Sequence, residues 1–114
     1  MAELIQVIAQ NGPLPINTTA TIETDAPTII TLAGSLWSPQ GQNQIGIRLM
    51  IDGNPVQAAS VFANPAATHL ALVPMIFQYT FPWTQNQQHE FLLDYLTSGT
   101  TSDENDWFLV TVQV

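Results

Sequence analysis

The chain has 114 residues, the size of one ordinary domain, and 46% of them are hydrophobic. Only 9% are Asp, Glu, Lys or Arg, and the net charge is −8, with Arg48 as the single Lys or Arg residue. Binding to nucleic acid or to an anionic membrane surface requires several cationic side chains, so this composition excludes both. Cysteine is absent, which excludes disulfides and thiolate chemistry.

The first ten residues, MAELIQVIAQ, contain an acid at Glu3, no basic residue, and apolar residues that alternate. This pattern is typical of a β-strand and not of a secretory signal peptide. No apolar run approaches the ~18–20 residues that a membrane-spanning helix needs. We therefore expect a soluble chain without an export signal or membrane insertion. The pattern does not indicate a compartment.

Short segments of alternating hydrophobicity follow one another along the chain, separated by Pro, Gly, Asn and Asp, which is typical of an all-β protein. Eight strands are predicted, at residues 3–9, 16–23, 28–37, 44–51, 56–62, 68–81, 88–96 and 107–114. The sixth is expected to split at Pro74, because proline has no N–H to donate to a strand ladder. The sequence IDGNPV predicts a hairpin, because Asp52-Gly53 readily adopts positive φ.

The alternation also predicts which face of each strand is buried. The fourth and last strands place one set of apolar residues on a single face: Ile45, Ile47, Leu49 and Ile51, and Phe108, Val110, Val112 and Val114. These faces predict a sandwich core between two sheets about 10 Å apart. The opposite faces carry Met50, Trp107 and Leu109, which favours contacts with other subunits. We predict one domain over residues 1–114, an eight-stranded antiparallel two-sheet sandwich of jelly-roll type.

The order of segments from Gly34 to Val114 is the basis of a first family resemblance. GSLW, IGIRLMIDGNPVQAASVFAN, HLALVPMIFQYTF, HEFLLDYL and DENDWFLVTV follow one another in that region. This order resembles bacterial jelly-roll domains of the tumour-necrosis-factor-like type, which include the globular heads of complement. The resemblance implies a homotrimer, with apolar inner strands at the three-fold axis, that binds ligands without catalysis.

A second resemblance concerns the late part of the chain. The plan of GSLW together with LLDYLTSGTTSDENDWFLVTV is similar to that of small bacterial calcium-dependent galactose-binding lectins. Those proteins place calcium and sugar beside an Asp/Asn-rich loop before the last strand. Comparable places here are occupied by Asp94, Thr101, Asp103, Asn105 and Asp106. The resemblance implies calcium as a cofactor and a glycan as the ligand.

The acidic run Asp103, Glu104, Asn105 and Asp106 has two interpretations. Calcium binds six to eight hard oxygens, and this run offers three carboxylates and one amide, with Asp94 able to close across the hairpin. The predicted metal ligands are therefore Asp94, Asp103, Asn105 and Asp106. The alternative is a plain turn, because Asp and Asn side chains bond to nearby backbone.

The two histidines and the single arginine are further candidate functional residues. His69 and His89 open predicted strands, and no recognisable third ligand accompanies them, so they are expected at the surface or at a subunit contact and not at zinc. Arg48 is expected to make a structural ion pair, with Asp52, Asp94 or a neighbouring subunit as the candidates.

Trp83 lies in a loop-like segment, FPWTQNQ, in which Gln85 and Asn86 are its polar neighbours. An exposed indole beside amides can stack a sugar ring, whereas the alternative is a tryptophan that covers one end of the core. Trp37, in LWSPQ, has the same two readings. The predicted ligand-binding residues are Trp83, Gln85, Asn86, Asp103, Asn105 and Asp106.

Catalytic motifs are absent from the sequence. It has no Gly-x-Ser-x-Gly elbow and no glycine-rich phosphate loop. We therefore predict a non-enzymatic module that binds carbohydrate as a homo-oligomer, with a trimer favoured. The alternative is a structural or assembly module, such as the head of a fibre, appendage or virion, in which the same residues are caps and contacts.

Overall fold

The structure is a computed structural model that describes residues 3–114. It contains nine β-strands and one three-residue 3-10 turn, Gln85–Gln87. The strands are β1 (Leu4–Asn11), β2 (Ile16–Thr21), β3 (Thr28–Leu36), β4 (Asn43–Ile51), β5 (Asn54–Ala63), β6 (Leu70–Ala71), β7 (Met75–Tyr79), β8 (Gln88–Tyr95) and β9 (Trp107–Gln113). No helical segment among residues 3–114 is long and apolar enough to cross a membrane.

Two antiparallel sheets form the sandwich. The first sheet has the order β1-β9-β3, and both β6 and β7 pair with β3 along its free edge. The second sheet has the order β2-β8-β4-β5. Consecutive strands alternate between the sheets except at the β4–β5 hairpin and the β6–β7 pair, and this is the jelly-roll arrangement. The predicted all-β jelly-roll class is confirmed, and the predicted sixth strand is divided at Pro74 into β6 and β7.

The core consists of the inward rows of the two sheets. Ile45, Ile47, Leu49 and Ile51 of β4 are completely buried, as the alternation predicts. Phe108, Val110 and Val112 of β9 are the buried row of the facing sheet, whereas Val114, predicted in the same row, follows β9 and is only half-buried. Full burial of one such side chain stabilises the fold by about 1.5–3 kcal/mol, so these two strands contribute a large part of the hydrophobic stabilisation.

The β4–β5 hairpin turns at Asp52-Gly53, where the sequence predicts it. The two residues have φ of 52° and 82°, both in the left-handed region that this two-residue turn requires. The Asp52 Oδ1 accepts a hydrogen bond from the Glu90 backbone N–H at 2.9 Å, which joins the turn to the neighbouring strand β8. The short polar side chain of Asp52 therefore helps to hold a backbone conformation that most residues avoid.

Strand register divides the loops between two opposite ends of a molecule that measures 43 × 22 × 21 Å. At one end, called the acidic end, lie the loops 12–15, 37–42, 64–69 and 96–106. At the other, called the Trp83 end, lie the Asp52-Gly53 turn and the loop 80–87. The register of β8 with β2 shows this separation. Gln88 pairs with Thr21 near the Trp83 end, and Leu93 pairs with Ile16 towards the acidic end.

Candidate functional site

The acidic end is built around Asp106, whose side chain is completely buried. Its Oδ1 accepts a hydrogen bond from the Ser35 hydroxyl at 2.9 Å, and its Oδ2 accepts one from the Asp103 backbone N–H at 2.9 Å. The Nδ1 of His69 lies 2.7 Å from Oδ1. A buried carboxylate needs such partners, because an unpaired one would lose its solvation without compensation.

The backbone around Asp106 forms a tight turn immediately before β9. The Asp106 N–H donates to the Asp103 carbonyl at 3.1 Å, and the Asp103 Oδ1 accepts from the Asn105 N–H at 2.8 Å. The second bond is the local side-chain-to-backbone contact for which Asp is favoured in turns. The turn thus leaves the Asp103 carboxylate 40% exposed beside the buried Asp106.

His69 brings an imidazole to this turn from a distant part of the sequence. It directly precedes β6, its side chain is 39% exposed, and its Nε2 lies 3.8 Å from the Asp103 Oδ2. The hydrogen bond to Asp106 raises the pKa of His69 above its usual 6.5; partial burial opposes this, and attraction to Asp106 and Asp103 adds to it. The Trp37 ring packs beside the imidazole, with centroids 5.8 Å apart.

His69, Asp103 and Asp106 together offer three ligand atoms that all lie within 4.8 Å of one another. We call these three residues the His–Asp cluster. The cluster combines one nitrogen and two carboxylate donors from two separate loops, one of which ends at β6 and the other at β9. Such a donor set is chemically able to hold a divalent cation.

Two of the four predicted metal ligands belong to the cluster, Asp103 and Asp106. Asp94 lies on β8 in the second sheet, where its Oδ1 accepts from the Tyr95 N–H at 2.7 Å. Asn105 is exposed on the turn. His69 is the ligand that sequence analysis did not predict, since 34 positions separate it from Asp103 and no local spacing connects them.

A groove of about 400 Å³ also lies at the acidic end. Its lining is polar and contains no ionisable side chain: Ser38, Pro39, Gln40, Asn43, Gln44, Thr97, Ser98 and Gly99. The Asn43 Nδ2 lies 3.4 Å from the Ser38 Oγ, and the Thr97 hydroxyl donates to the Gln44 carbonyl at 2.8 Å. None of these residues was predicted as a ligand contact, because isolated Ser, Gln and Asn in loops have no distinctive spacing.

The remaining predicted ligand residues lie at the Trp83 end. The Trp83 side chain is 74% exposed, and both Gln85 and Asn86 are exposed on the adjoining 3-10 turn. The Thr84 hydroxyl donates to the Gln88 carbonyl at 3.0 Å and holds the base of this loop. The structure therefore separates Trp83, Gln85 and Asn86 from the acidic turn by the length of the strands.

The expected position of His89 is wrong. The expected ion pairs of Arg48 with Asp52 and Asp94 are not formed, and its pairing with a neighbouring subunit stays a prediction. His89 is buried, not on the surface; its Nδ1 lies 2.6 Å from the Asp52 Oδ2, and its ring packs against Phe81 with centroids 4.8 Å apart. Arg48 and Asp94 are register partners on β4 and β8, but no ion pair of Arg48 is present among residues 3–114. The hydrogen bond to Asp52 satisfies the Nδ1 of His89, whereas the buried Nε2 of the same ring has no hydrogen-bond partner among residues 3–114.

Comparison with known proteins gives no family assignment. No family model matches the chain, and no curated protein sequence matches it. Among solved structures, it is similar to the CBM36-1 domain of a multidomain xylanase from the hindgut metagenome of Trinervitermes trinervoides, at 9% identity and TM-score 0.47, over 99% of this chain and 95% of that one. It is also similar to the EclA C-terminal domain, described as a sugar-binding protein, at 17% identity and TM-score 0.46, over 100% of this chain and 77% of that one. Similarities at this level carry no conclusion about ligand or activity.

Proposed function

We propose that this chain is a non-enzymatic carbohydrate-binding domain that stacks a saccharide ring on Trp83. The observation that carries the proposal is the 74% exposure of this indole, the joint highest among the exposed large apolar side chains of residues 3–114. Indole normally buries most of its surface, so an outward platform is favoured where a ligand covers it. The apolar C–H face of a pyranose ring matches the π face of an indole.

The neighbours of Trp83 have the chemistry that sugar hydroxyls need. Gln85 and Asn86 are exposed, and each carboxamide offers both donors and acceptors. Asn86 has a φ of 63°, a conformation that Asn tolerates better than most residues, so its side chain is presented from a defined turn. The ligand that fits a flat aromatic ring beside neutral amides is an uncharged saccharide.

The His–Asp cluster supports a binding role over catalysis. The Ser35 hydroxyl donates to Asp106 and not to the His69 ring, so the imidazole does not activate it as a nucleophile. The Asp106 carboxylate is completely buried and accepts from Ser35 and the Asp103 N–H. A carboxylate without exposed surface cannot reach a glycosidic bond as an acid or nucleophile.

The proposal requires no calcium at the saccharide. Calcium, the cofactor that the lectin resemblance implies, binds six to eight oxygens. Asp103 and Asp106 supply the only carboxylates of the His–Asp cluster, and they lie at the opposite end of the sandwich from Trp83. We therefore expect saccharide binding to persist in the presence of a chelator.

The test is to titrate a panel of soluble neutral polysaccharides and oligosaccharides into the wild-type chain and three variants by calorimetry. Trp83→Ala is expected to weaken binding about tenfold or more, because ring stacking contributes roughly 0.5–1.5 kcal/mol beyond area burial. Trp83→Phe should retain part of the affinity, and Asn43→Ala in the polar groove is the matched control. If Asn43→Ala lost binding while Trp83→Ala kept it, the saccharide site would be the polar groove and not Trp83. No binding of any glycan would refute the proposal.

An assembly role is the second candidate, and it rests on the first sheet. None of its strands contains a charged residue, in a chain whose net charge is −8. Its outward apolar side chains include Ile29, Ile76 and Trp107, which are 40%, 67% and 41% exposed. An uncharged, partly apolar face is where copies of an acidic protein can meet without charge repulsion. The trimer stays a prediction.

A further inference from the structure

We propose that His69, Asp103 and Asp106 form a binding site for one first-row transition-metal dication, with zinc as the preferred probe. The proposal concerns the acidic end and is independent of saccharide binding at Trp83. It differs from the calcium site that the sequence predicts in its ligands and in its metal class. The donor chemistry, the orientation of the donors and the local charge each support it.

The donor chemistry selects the class of metal. Imidazole nitrogen is a favoured ligand of zinc, copper, nickel and cobalt, whereas calcium selects oxygen. The cluster supplies one imidazole and two carboxylates, whose ligand atoms lie within 4.8 Å of one another. Three protein ligands of this kind, with a fourth position left to water, make a common open zinc site.

The orientation of the Asp106 carboxylate is set before any metal binds. The Ser35 hydroxyl and the Asp103 N–H, each at 2.9 Å, hold the two oxygens of the buried Asp106 carboxylate. The Trp37 ring restricts the His69 imidazole from the side. Outer partners of this type are what orient the ligands in known metal sites.

The distances between the donors require side-chain movement on metal binding. The His69 Nδ1 lies 2.7 Å from the Asp106 Oδ1, the length of a charge-assisted hydrogen bond. Tetrahedral zinc with bonds of about 2.0–2.1 Å holds its ligand atoms roughly 3.3 Å apart. The His69 ring and the Asp103 carboxylate are 39% and 40% exposed, so both side chains are free to rotate. The required change is about 0.6 Å for the contact with Asp106 and at most about 1.5 Å for any other pair of ligand atoms.

The charge of the cluster also favours a dication. Two carboxylates face a single imidazole, and the whole chain carries a net charge of −8. A dication would neutralise the local excess of negative charge and would be attracted by the field of the molecule. Neither Glu104 nor Asn105 belongs to the cluster, although both lie within the same acidic run.

The experiment measures thermal unfolding of the full chain with zinc, cobalt, calcium or a chelator, together with the visible absorption of the cobalt form. Zinc at 100 times its dissociation constant is expected to raise the melting temperature of the wild type by about 10 °C, and calcium to raise it far less. Cobalt is expected to give a one-to-one complex with the intense absorption of a tetrahedral site. Imidazole resonances of His69, and not those of the buried His89, should respond to zinc.

The variants are chosen so that the fold survives. His69→Gln and Asp103→Asn alter half-exposed side chains and should abolish the zinc and cobalt effects. Glu104→Gln removes the same charge from the same turn and should leave them unchanged. An undiminished zinc shift in His69→Gln would overturn the proposal, as would the absence of any shift in the wild type. A rise in melting temperature with calcium that is lost in Asp103→Asn but kept in His69→Gln would also overturn the proposal, because it would indicate a calcium site made of oxygen ligands alone.

Discussion

At the scale of single residues, Asp106 is the side chain on which the acidic end depends. It is the one carboxylate among residues 3–114 that is completely buried, and it joins Ser35, His69 and the Asp103 backbone. Each hydrogen bond to a charged group contributes about 1.5–3 kcal/mol, and removal of one partner leaves the others without compensation. Asp106 is therefore a structural residue whatever the cluster binds.

We expect Asp106→Asn to lower the free energy of unfolding by about 3 kcal/mol, because the amide replaces an acceptor oxygen with a donor that faces N–H or O–H groups. Urea denaturation monitored by tryptophan fluorescence measures this loss. Glu104→Gln, at an exposed position of the same turn, should change it by no more than about 0.5 kcal/mol. Equal losses in the two variants would contradict the role given to Asp106.

His69 makes stability depend on pH in a direction that its pKa determines. The hydrogen bond to Asp106 raises the pKa of His69 in the folded chain above the 6.5 of the unfolded chain. The folded state then holds the proton more tightly than the unfolded state. The contribution of protonated His69 to the free energy of unfolding is therefore fully present below about pH 6.5 and is lost as pH rises through the folded pKa.

Unfolding of the wild type and His69→Gln between pH 5 and 9, with a chelator in every buffer, tests this dependence. The difference in free energy of unfolding between the wild type and His69→Gln should be largest at low pH and should shrink above pH 7. A difference that grows with pH would show that His69 is stabilised in its neutral form.

At the scale of elements, the strands follow from alternation and the loops do not. The rows of β4 and β9 are buried as the period-two pattern predicts, since a pleated strand presents every second residue to one face. Pro74 divides β6 from β7 because it cannot donate to the ladder with β3. The pairing of these strands into two sheets could be predicted as a class, but the register that joins His69 to Asp106 could not.

Gly46 tests how closely β4 packs on its neighbour. A Cβ at this position would lie 2.5 Å from the Ala59 carbonyl oxygen, a backbone atom that cannot move alone. We expect Gly46→Ala to destabilise the chain by about 1–3 kcal/mol, as overpacking does in a core. Gly99→Ala is the comparison, because its Cβ would meet the flexible end of the Asn43 side chain. Thermal unfolding should show a smaller fall in melting temperature for Gly99→Ala than for Gly46→Ala. The reverse order would contradict the packing of β4 on β5.

At the scale of the whole molecule, charge is distributed unevenly between the two sheets. The first sheet has no charged residue in its strands, whereas β4 and β8 of the second contain Arg48, Glu90 and Asp94. If the chain assembles, we expect the uncharged face to be the contact. Any face that carries several carboxylates would repel its copy in a partner.

Solution mass by light scattering, at several protein concentrations, tests assembly. If the chain is a trimer, its solution mass should be three times that of one chain. The double variant Ile29→Lys, Ile76→Lys is expected to have the mass of a single chain. Lysine in place of Leu92 on β8 of the second sheet is the matched control. A single-chain mass for the wild type at every concentration would contradict assembly and leave saccharide binding as the function to test.

The sequence by itself determined the all-β class, the strands, the buried rows and the Asp52-Gly53 hairpin, because periodicity and turn chemistry act over a few neighbouring residues. It also identified Trp83 and the acidic turn as places of interest. Only the tertiary structure decided that these two places lie at opposite ends, that His89 is buried, and that His69 meets Asp103 and Asp106. Contacts across 34 or more positions arise from strand register and loop closure, and no local pattern encodes them.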